Sequence, residues 1–277
     1  VEKFEKIINN AQILPITPPP VPKNGKTLQI IKADSHVGSL TSNSMFGNNY
    51  NSKVFDERMN SIIHTVVELV SRYGTFDCID IVDLGDGVDG YNEQTARGGH
   101  KLEQELKADE QFEKYVSSHC FLFDNLVREE LADKLSFIAC CNDNHPGVSF
   151  SYPCNRAVEL YLNAKFPTIE TKISKDFIFH TQRGKHVCLW THGKDDKYMK
   201  NGFPIKLDNR TETFVEAYIE YNNLCQHIPF NKQKFFIHLD KGDLHQSASE
   251  FAKRFEYTNH PSLMGQTNFI EYNYSLG

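Results

Sequence analysis

The stretch Cys78-Ile-Asp-Ile-Val-Asp-Leu-Gly-Asp-Gly-Val-Asp89 carries the strongest fold signal in the chain. Its first seven residues form a short, β-branched apolar run, which predicts a buried strand. The glycines and aspartates that follow end this strand and place carboxylates just beyond it. Two other runs have the same form, because Leu28–Ala33 stops at Asp34 and Leu135–Cys141 stops at Asn142. We therefore expect a series of strands that each end in polar side chains.

Helices are predicted between these strands. Apolar residues at helical spacing indicate a helix over 55–73, which Gly74 ends. Strands alternate with helices at first and β-rich segments dominate later, which is typical of an α/β protein with mixed sheets. The other predicted helices cover 99–134, 156–164 and 212–223, and the other predicted strands lie near 168–173, 177–181, 186–191, 234–239 and 268–274.

The chain is predicted to form one domain with an N-terminal extension. Residues 1–25 are interpreted as a tether with a proline-rich linker, because the segment Thr17–Pro22 forbids regular structure. Residues 26–277 form the single predicted domain, which is long enough to bury a sizeable core. The first residue is Val1 rather than a methionine, which raises the expectation of an upstream segment.

Composition disfavours several classes of protein. No apolar run approaches the roughly 18 residues of a membrane span, and the start does not resemble a signal peptide, so no membrane partner is expected. Seven cysteines without a CxxC pair favour reduced thiols and a cytoplasmic location. The net charge of −6 argues against a broadly basic protein that coats nucleic acid. It remains compatible with a nuclease that has a local basic groove.

Potential metal ligands follow five of the predicted strands. Because sites in α/β sheets form beyond the carboxyl ends of strands, five such clusters can face one pocket. Carboxylate, amide and imidazole groups are the donors that a site for two metal ions needs. The five clusters are Asp34-Ser-His36, Gly85-Asp-Gly-Val-Asp89, Asn144-His145, Thr191-His-Gly193 and Gly242-Asp-Leu-His245.

This ordered series resembles the motifs of the calcineurin-like metallophosphoesterase superfamily, which run D-x-H, G-D-x-x-D, G-N-H-D/E, H and G-H-x-H. The matching motifs extend from Asp34 to His245, and the general pattern of the sequence is similar to that of phage-encoded members of the superfamily. The resemblance implies a four-layer α/β/β/α sandwich with mixed sheets. It also implies a metal-dependent hydrolase that cleaves phosphoester bonds through a hydroxide bridging two divalent ions. For a phage-encoded protein, the expected location is the host cytoplasm.

The resemblance assigns roles in a first metal site, position by position. Asp34 and His36 would hold the first ion together with His245. Asp86, from the strongest motif, would bridge the two ions. Two ions held about 3.5–4 Å apart can activate a shared water and neutralise phosphate charge. These four residues are therefore expected to be the core of the site.

The second ion would be held by Asn144 and His192, with one departure from the family pattern. Asp243 stands where the family has a histidine, and a carboxylate there favours Mn²⁺ or Mg²⁺ over softer ions. Mn²⁺ is the expected cofactor, with Mg²⁺, Zn²⁺ and iron as alternatives. The alternative for Asp243 is that it points elsewhere and water completes the shell. Other histidines, including His64 and His238, are interpreted as packed structural residues.

The resemblance also implies the catalytic residues. His145 would act off the metals, near the leaving-group oxygen, and Asp89 would pair with it and favour its protonated form. Arg97 and Lys194 are candidate contacts for the substrate phosphate. Gly90 stands where protein phosphatases carry an arginine, which disfavours that branch and leaves the phosphodiesterase branches.

The expected substrate is a phosphate ester, with DNA or RNA favoured. A basic stretch over 181–206 brackets the fourth cluster and could form one wall of a groove, with Tyr198 and Phe203 stacking on bases. A solvated loop is the alternative interpretation of this stretch. Alternative functions are a phosphatase or phosphodiesterase for small phosphate esters or cyclic nucleotides, and a non-catalytic binding protein on the same scaffold. The sequence leaves the oligomeric state open.

Overall fold

The protein is an α/β protein with two sheets and, in its described part, four helices. The tether predicted for 1–25 and the strand predicted near 268–274 lie outside the described residues. None of the described helices is long and apolar enough to cross a membrane. The computed structural model describes residues 26–42, 49–195, 197, 199, 201–224 and 235–265.

The first sheet is wholly parallel and has the strand order β1-β2-β3-β4. Helices connect its strands, and such crossovers are what parallel pairing requires. The prediction of mixed sheets is therefore wrong for this sheet. Its register pairs Lys32 with Asp83 and Asp83 with Ala139, so the carboxyl ends of three strands lie side by side. The strands are β1 (Thr27–Lys32), β2 (Phe76–Asp83), β3 (Ala132–Cys140) and β4 (Glu170–Ser174).

The second sheet is mixed, as predicted, with the strand order β5-β6-β7-β9-β8. Its two outer pairs are antiparallel and its central pairs are parallel. Thr191 at the end of β6 pairs with Lys241 at the end of β7, which places the two following loops at one edge. β8 and β9 were not predicted, because each has only four residues. The strands are β5 (Phe179–Arg183), β6 (His186–Thr191), β7 (Phe236–Lys241), β8 (Ala248–Phe251) and β9 (Glu256–Asn259).

The helices differ from the predicted ones mainly at their starts. The predicted helix over 99–134 is shorter in the structure, because 99–107 form a loop and Ala132–Lys134 already belong to β3. The helix predicted from Arg156 begins earlier and includes Pro153, which removes only one backbone hydrogen bond. The helices are α1 (Ser52–Tyr73), α2 (Ala108–Arg128), α3 (Val148–Lys165) and α4 (Asn209–Tyr221).

Three apolar clusters hold these elements together. The largest joins α1, α2 and α3 to the first sheet, and a second joins α4 to the second sheet. A third cluster lies between the sheets, where Val82 and Ile138 of the first meet Trp190 of the second. An ion pair between Asp80 and Arg183, at 2.8 Å, also links the two sheets. As a result, the loops after β1, β2, β3, β6 and β7 can approach one another.

Candidate metal centre

The backbone is strained where the ligand candidates lie. Nine non-glycine residues in the described part have a positive φ, and five of them are predicted metal ligands. Such left-handed conformations are uncommon for non-glycine residues and cost about 1–3 kcal/mol each, and they concentrate at functional sites. Their φ angles are 51° at Asp34, 42° at His36, 48° at Asp86, 74° at Asp243 and 53° at His245.

The first group of ligand atoms consists of Asp34, His36 and His245. The Nε2 atoms of the two histidines lie 3.3 Å apart, and Asp34 Oδ1 is 3.8 Å from His245 Nε2. His245 Nδ1 donates to the Gly265 carbonyl at 2.9 Å, which leaves its Nε2 lone pair directed at the group. This is the usual orientation of a metal-binding histidine, so the group fits one cation.

The second group consists of Asp34, Asp86 and His192. His192 Nδ1 donates to the Leu84 carbonyl at 3.0 Å, so its Nε2 faces the site. This Nε2 atom lies 3.3 Å from Asp86 Oδ2 and 2.7 Å from Asn144 Oδ1. Asp86 Oδ2 is also 4.0 Å from Nε2 of His36, which places Asp86 between the two groups.

Asp243 reaches the edge of the second group. Its Oδ1 lies 3.9 Å from His192 Nε2 and 3.7 Å from the Lys194 ammonium. The Asp243 backbone N–H donates to both carboxylate oxygens of Asp34 at 3.1 Å. Gly242 permits this approach, since a Cβ there would lie 2.9 Å from Asp34 Oδ2. The Asp243 carboxylate is therefore placed to bind a cation, and the Lys194 ammonium would compete with that cation for it.

His145 lies at the mouth of the site. Its side chain is 21% exposed, whereas those of His36, His192 and His245 are at most 7% exposed. His145 Nδ1 lies 3.1 Å from the Asp89 carbonyl and 3.6 Å from the Asp89 carboxylate. The same carboxylate is 3.2 Å from Nδ1 of His36, so Asp89 orients both rings rather than His145 alone.

Two of the four histidines at the site have a raised pKa, because buried carboxylates lie beside them. Burial lowers the pKa of His192, but Asp86 beside it more than reverses this and the pKa is raised to about 10. Burial likewise opposes the charged form of His145, yet Asp86 and then Asp89 raise its pKa to about 9. Burial raises the pKa of Asp34 to about 6. The buried carboxylates thus draw protons onto His192 and His145, whereas burial lowers the pKa of His36 and lowers that of His245 to about 4. Divalent cations could replace the proton on His192.

A further carboxylate, that of Asp143, lies behind the site, and no role is predicted for it from the sequence. It is fully buried, and its Oδ2 accepts the backbone N–H of Asp86 at 3.1 Å. Burial, followed by repulsion from Asp86, raises the pKa of Asp143 to about 7. The only signal in the sequence is its position directly before Asn144, where it replaces the glycine of the family motif.

The predicted phosphate contacts have different surroundings. Arg97 donates to the Lys194 carbonyl and to Oδ1 of Asn142, so it ties together loops that follow three different strands. This guanidinium is engaged by the protein itself, which favours a positioning role over the predicted contact with phosphate. The Lys194 side chain is 38% exposed, and its ammonium lies 3.7 Å from Asp243 Oδ1.

Two other sequence predictions, those for Phe203 and His64, are wrong. Phe203 is buried in the apolar cluster of the second sheet, so the prediction that it stacks on bases is wrong. Tyr198 lies outside the described residues. His64 is exposed on α1 and not packed. His238 is half-buried and lies 3.1 Å from Glu256, which agrees with a structural role.

No protein-family model matches the chain, and no curated protein matches it. Functional interpretation therefore depends on the geometry of the site.

Proposed function

We propose that this protein is a metal-dependent phosphoesterase of the calcineurin-like metallophosphoesterase type that hydrolyses phosphodiester bonds, with nucleic acid as its substrate. One observation carries the proposal: ligand candidates from four other strand ends lie around the buried carboxylate of Asp86, and carbonyl acceptors orient the Nε2 atoms of His192 and His245 inward. The proposed arrangement of layers is the α/β/β/α sandwich, and the three apolar clusters support it.

The residues fit two divalent cations. Asp34, His36 and His245 would hold one, and His192 and Asn144 would hold the other, with Asp86 shared. Mn²⁺ is the proposed ion, because oxygen donors contribute as much as imidazoles to this set. When bound, such a pair activates a water for in-line attack and neutralises phosphate charge. Asp243 adds a further oxygen donor to the second position if Lys194 releases it.

His145 is the proposed proton donor to the leaving oxygen. It is more exposed than the other three histidines of the site, and in the metal-free protein Asp86 and then Asp89 raise its pKa to about 9 against the effect of burial. Asp89 fixes the orientation of the ring through Nδ1, which directs Nε2 away from this partner. A protonated imidazole at this position can give its proton to the leaving oxygen as the bond to phosphorus breaks, so that the group departs as an alcohol.

A diester suits the charge of this site better than a monoester. A phosphomonoester carries about 1.5 to 2 negative charges at pH 7, whereas a diester carries one. The two basic side chains predicted to contact phosphate already interact with the protein, because Arg97 donates hydrogen bonds to neighbouring loops and Lys194 lies beside Asp243.

We place the activity in the cytoplasm, because the six described cysteines are free and buried.

The test is turnover by metal-stripped protein after addition of Mn²⁺, Mg²⁺ or Zn²⁺. The panel contains single-stranded and duplex DNA and RNA, a cyclic nucleotide, a chromogenic diester and a chromogenic monoester. We expect metal-dependent cleavage of diesters, fastest on nucleic acid, and none by the Asp86→Asn variant. Cleavage of the monoester alone would point to a phosphatase. Metal binding without any turnover would point to a binding protein.

A further inference from the structure

An exposed aromatic side chain lies in the loop whose Asp89 contacts His145. Tyr91 is 56% exposed, and its ring packs edge-to-face with Phe150, with 5.8 Å between centroids and 73° between planes. Tyr91 follows Asp89 by two residues, and Phe150 lies in the first turn of α3, shortly after His145. The aromatic pair therefore joins the loop that carries Asp89 to the segment that follows His145.

These two loops are fixed to each other. The backbone N–H of Ala96 donates to the His145 carbonyl at 2.7 Å, and that of Arg97 donates to the Asn144 carbonyl at 3.0 Å. Gly90, which directly precedes Tyr91, lies so close that a Cβ there would be 3.4 Å from the His145 carbonyl oxygen. The position of Tyr91 relative to His145 is thus set by the backbone.

A strained turn presents Tyr91 to solvent. Asn92 and Glu93 both have φ of 55°, and the N–H of Gln94 returns to the Tyr91 carbonyl at 3.4 Å. Two successive left-handed residues define a type I′ turn, which favours Asn and Gly and disfavours Glu. Such conformations persist where the surroundings enforce them, and they concentrate at binding and catalytic sites.

We propose that Tyr91, backed by Phe150, is a stacking platform for the nucleobase next to the scissile phosphate. Bases of any sequence stack on an exposed aromatic ring, so the platform would be sequence-tolerant. Because His145 acts at the leaving oxygen, the stacked base belongs to the leaving nucleoside. This inference rests on the proposed function and narrows its substrate to nucleoside phosphodiesters.

The first experiment compares thymidylyl-thymidine with dinucleotides that carry an abasic tetrahydrofuran residue on either side of the phosphate. For the wild type we expect a higher kcat/KM when the leaving nucleoside has its base. In Tyr91→Ala this preference ratio should fall about tenfold, mainly through KM, and Tyr91→Phe should restore it. Tyr73→Ala is the matched control: Tyr73 is 51% exposed but ends α1, just before the start of β2, at the sheet edge opposite the site.

The second experiment measures stacking without turnover. A dinucleotide with 2-aminopurine as the leaving base is titrated into the His145→Ala protein in Mg²⁺, and its fluorescence should be quenched on binding. The additional Tyr91→Ala change should remove the quenching, and Tyr91→Phe should keep it. Wild-type protein that cleaves no diester would defeat the proposed function. Wild-type protein that cleaves dinucleotides while Tyr91→Ala keeps both the preference ratio and the quenching would defeat the platform alone.

Discussion

Two buried acidic regions lie along β2 and its following loop, and they are balanced in different ways. Asp83, at the end of β2, forms a 2.6 Å ion pair with Lys32 and accepts the Tyr115 hydroxyl at 2.9 Å. His119 lies 3.8 Å away, and burial, reinforced by Lys32, lowers its pKa to about 3, which keeps it neutral. This region contains one carboxylate and one cation, so the chain balances its charge by itself.

The second region surrounds Asp86, three residues after Asp83. Here the carboxylates outnumber the lysines that could balance their negative charge. Asp34, Asp86, Asp89 and Asp143 are all buried at the metal centre, and Asp243 adds its charge at the edge. Protonation of imidazoles relieves part of this repulsion in the metal-free protein, as the raised pKa of His192 shows. In the Asp83 region the chain thus supplies the balancing cation itself, whereas the Asp86 region has buried Asp and His groups that could hold added cations.

The largest expected effect is that of Asp86→Asn. This change removes the carboxylate that lies between the two groups, 4.0 Å from His36 Nε2 and 3.3 Å from His192 Nε2, so metal-dependent turnover should fall to background. The variant should still fold, because it deletes one of several mutually repelling charges. Circular dichroism and a turnover assay in Mn²⁺ check both statements. Retained turnover would mean that Asp86 is not the shared ligand.

His145→Ala separates catalysis from metal binding. A general acid contributes about 10²–10⁴-fold to rate, so turnover should fall by that range while metal content stays the same. Metal analysis of the purified variant, together with its kcat, makes the measurement. His64→Ala is the control, because His64 is exposed on α1. Equal kcat in wild type and His145→Ala would remove His145 from the mechanism.

Asp83→Asn tests the other region. Leaving Lys32 buried without its partner should cost about 3–5 kcal/mol of unfolding free energy, with the number of bound ions unchanged in the folded protein. The partly exposed pair of Asp56 and Lys114 provides the control, since Asp56→Asn should cost less than about 1 kcal/mol. Denaturant unfolding measures both variants. If both variants lose equally little unfolding free energy, the Asp83–Lys32 pair stabilises the fold no more than the Asp56–Lys114 pair does.

The pH dependence of stability gives the smallest effect. The pKa of His192 is raised to about 10 and that of His145 to about 9 in the metal-free fold, above the usual value near 6.5. Their contribution is fully present below pH 6.5 and is lost as pH rises toward 10. The metal-free Tm should therefore fall over this range, by about 2–4 °C for each kcal/mol lost.

Bound cations should weaken this trend. Metal replaces the protons on the ligand His192, so its titration no longer destabilises the fold. Thermal melts at pH 6.5, 8 and 9.5, with and without Mn²⁺, make the comparison. If Tm falls equally steeply with pH in the two series, metal does not replace the protons on the imidazoles.

Much of the site follows from the sequence, because each ligand cluster comes directly after an apolar strand. Parallel pairing then brings Asp34, Asp86 and Asn144 to one sheet edge, as the register of the first sheet shows. The features that could not be predicted depend on tertiary contacts. The left-handed backbone at His36 and the Gly265 carbonyl behind His245 are examples, since neither leaves a local pattern.

The fold was less predictable at its irregular parts. The loop over 99–107 contains apolar and charged residues at helical spacing, yet backbone bonds such as that from Glu105 to Gly38 hold it in extended form. The start of α3 was missed because Pro153 normally indicates a helix boundary. In both cases, packing against the site loops prevails over local preference.

The most direct test of the central claim is the number of cations that the chain binds. Metal-free protein is titrated with Mn²⁺ by calorimetry, beside the Asp86→Asn and Asp83→Asn variants. We expect two ions per chain for wild type and for Asp83→Asn, and at most one weakly bound ion for Asp86→Asn. Wild-type protein that binds no ion, or Asp86→Asn that binds two as tightly as wild type, would contradict a metal centre built around Asp86.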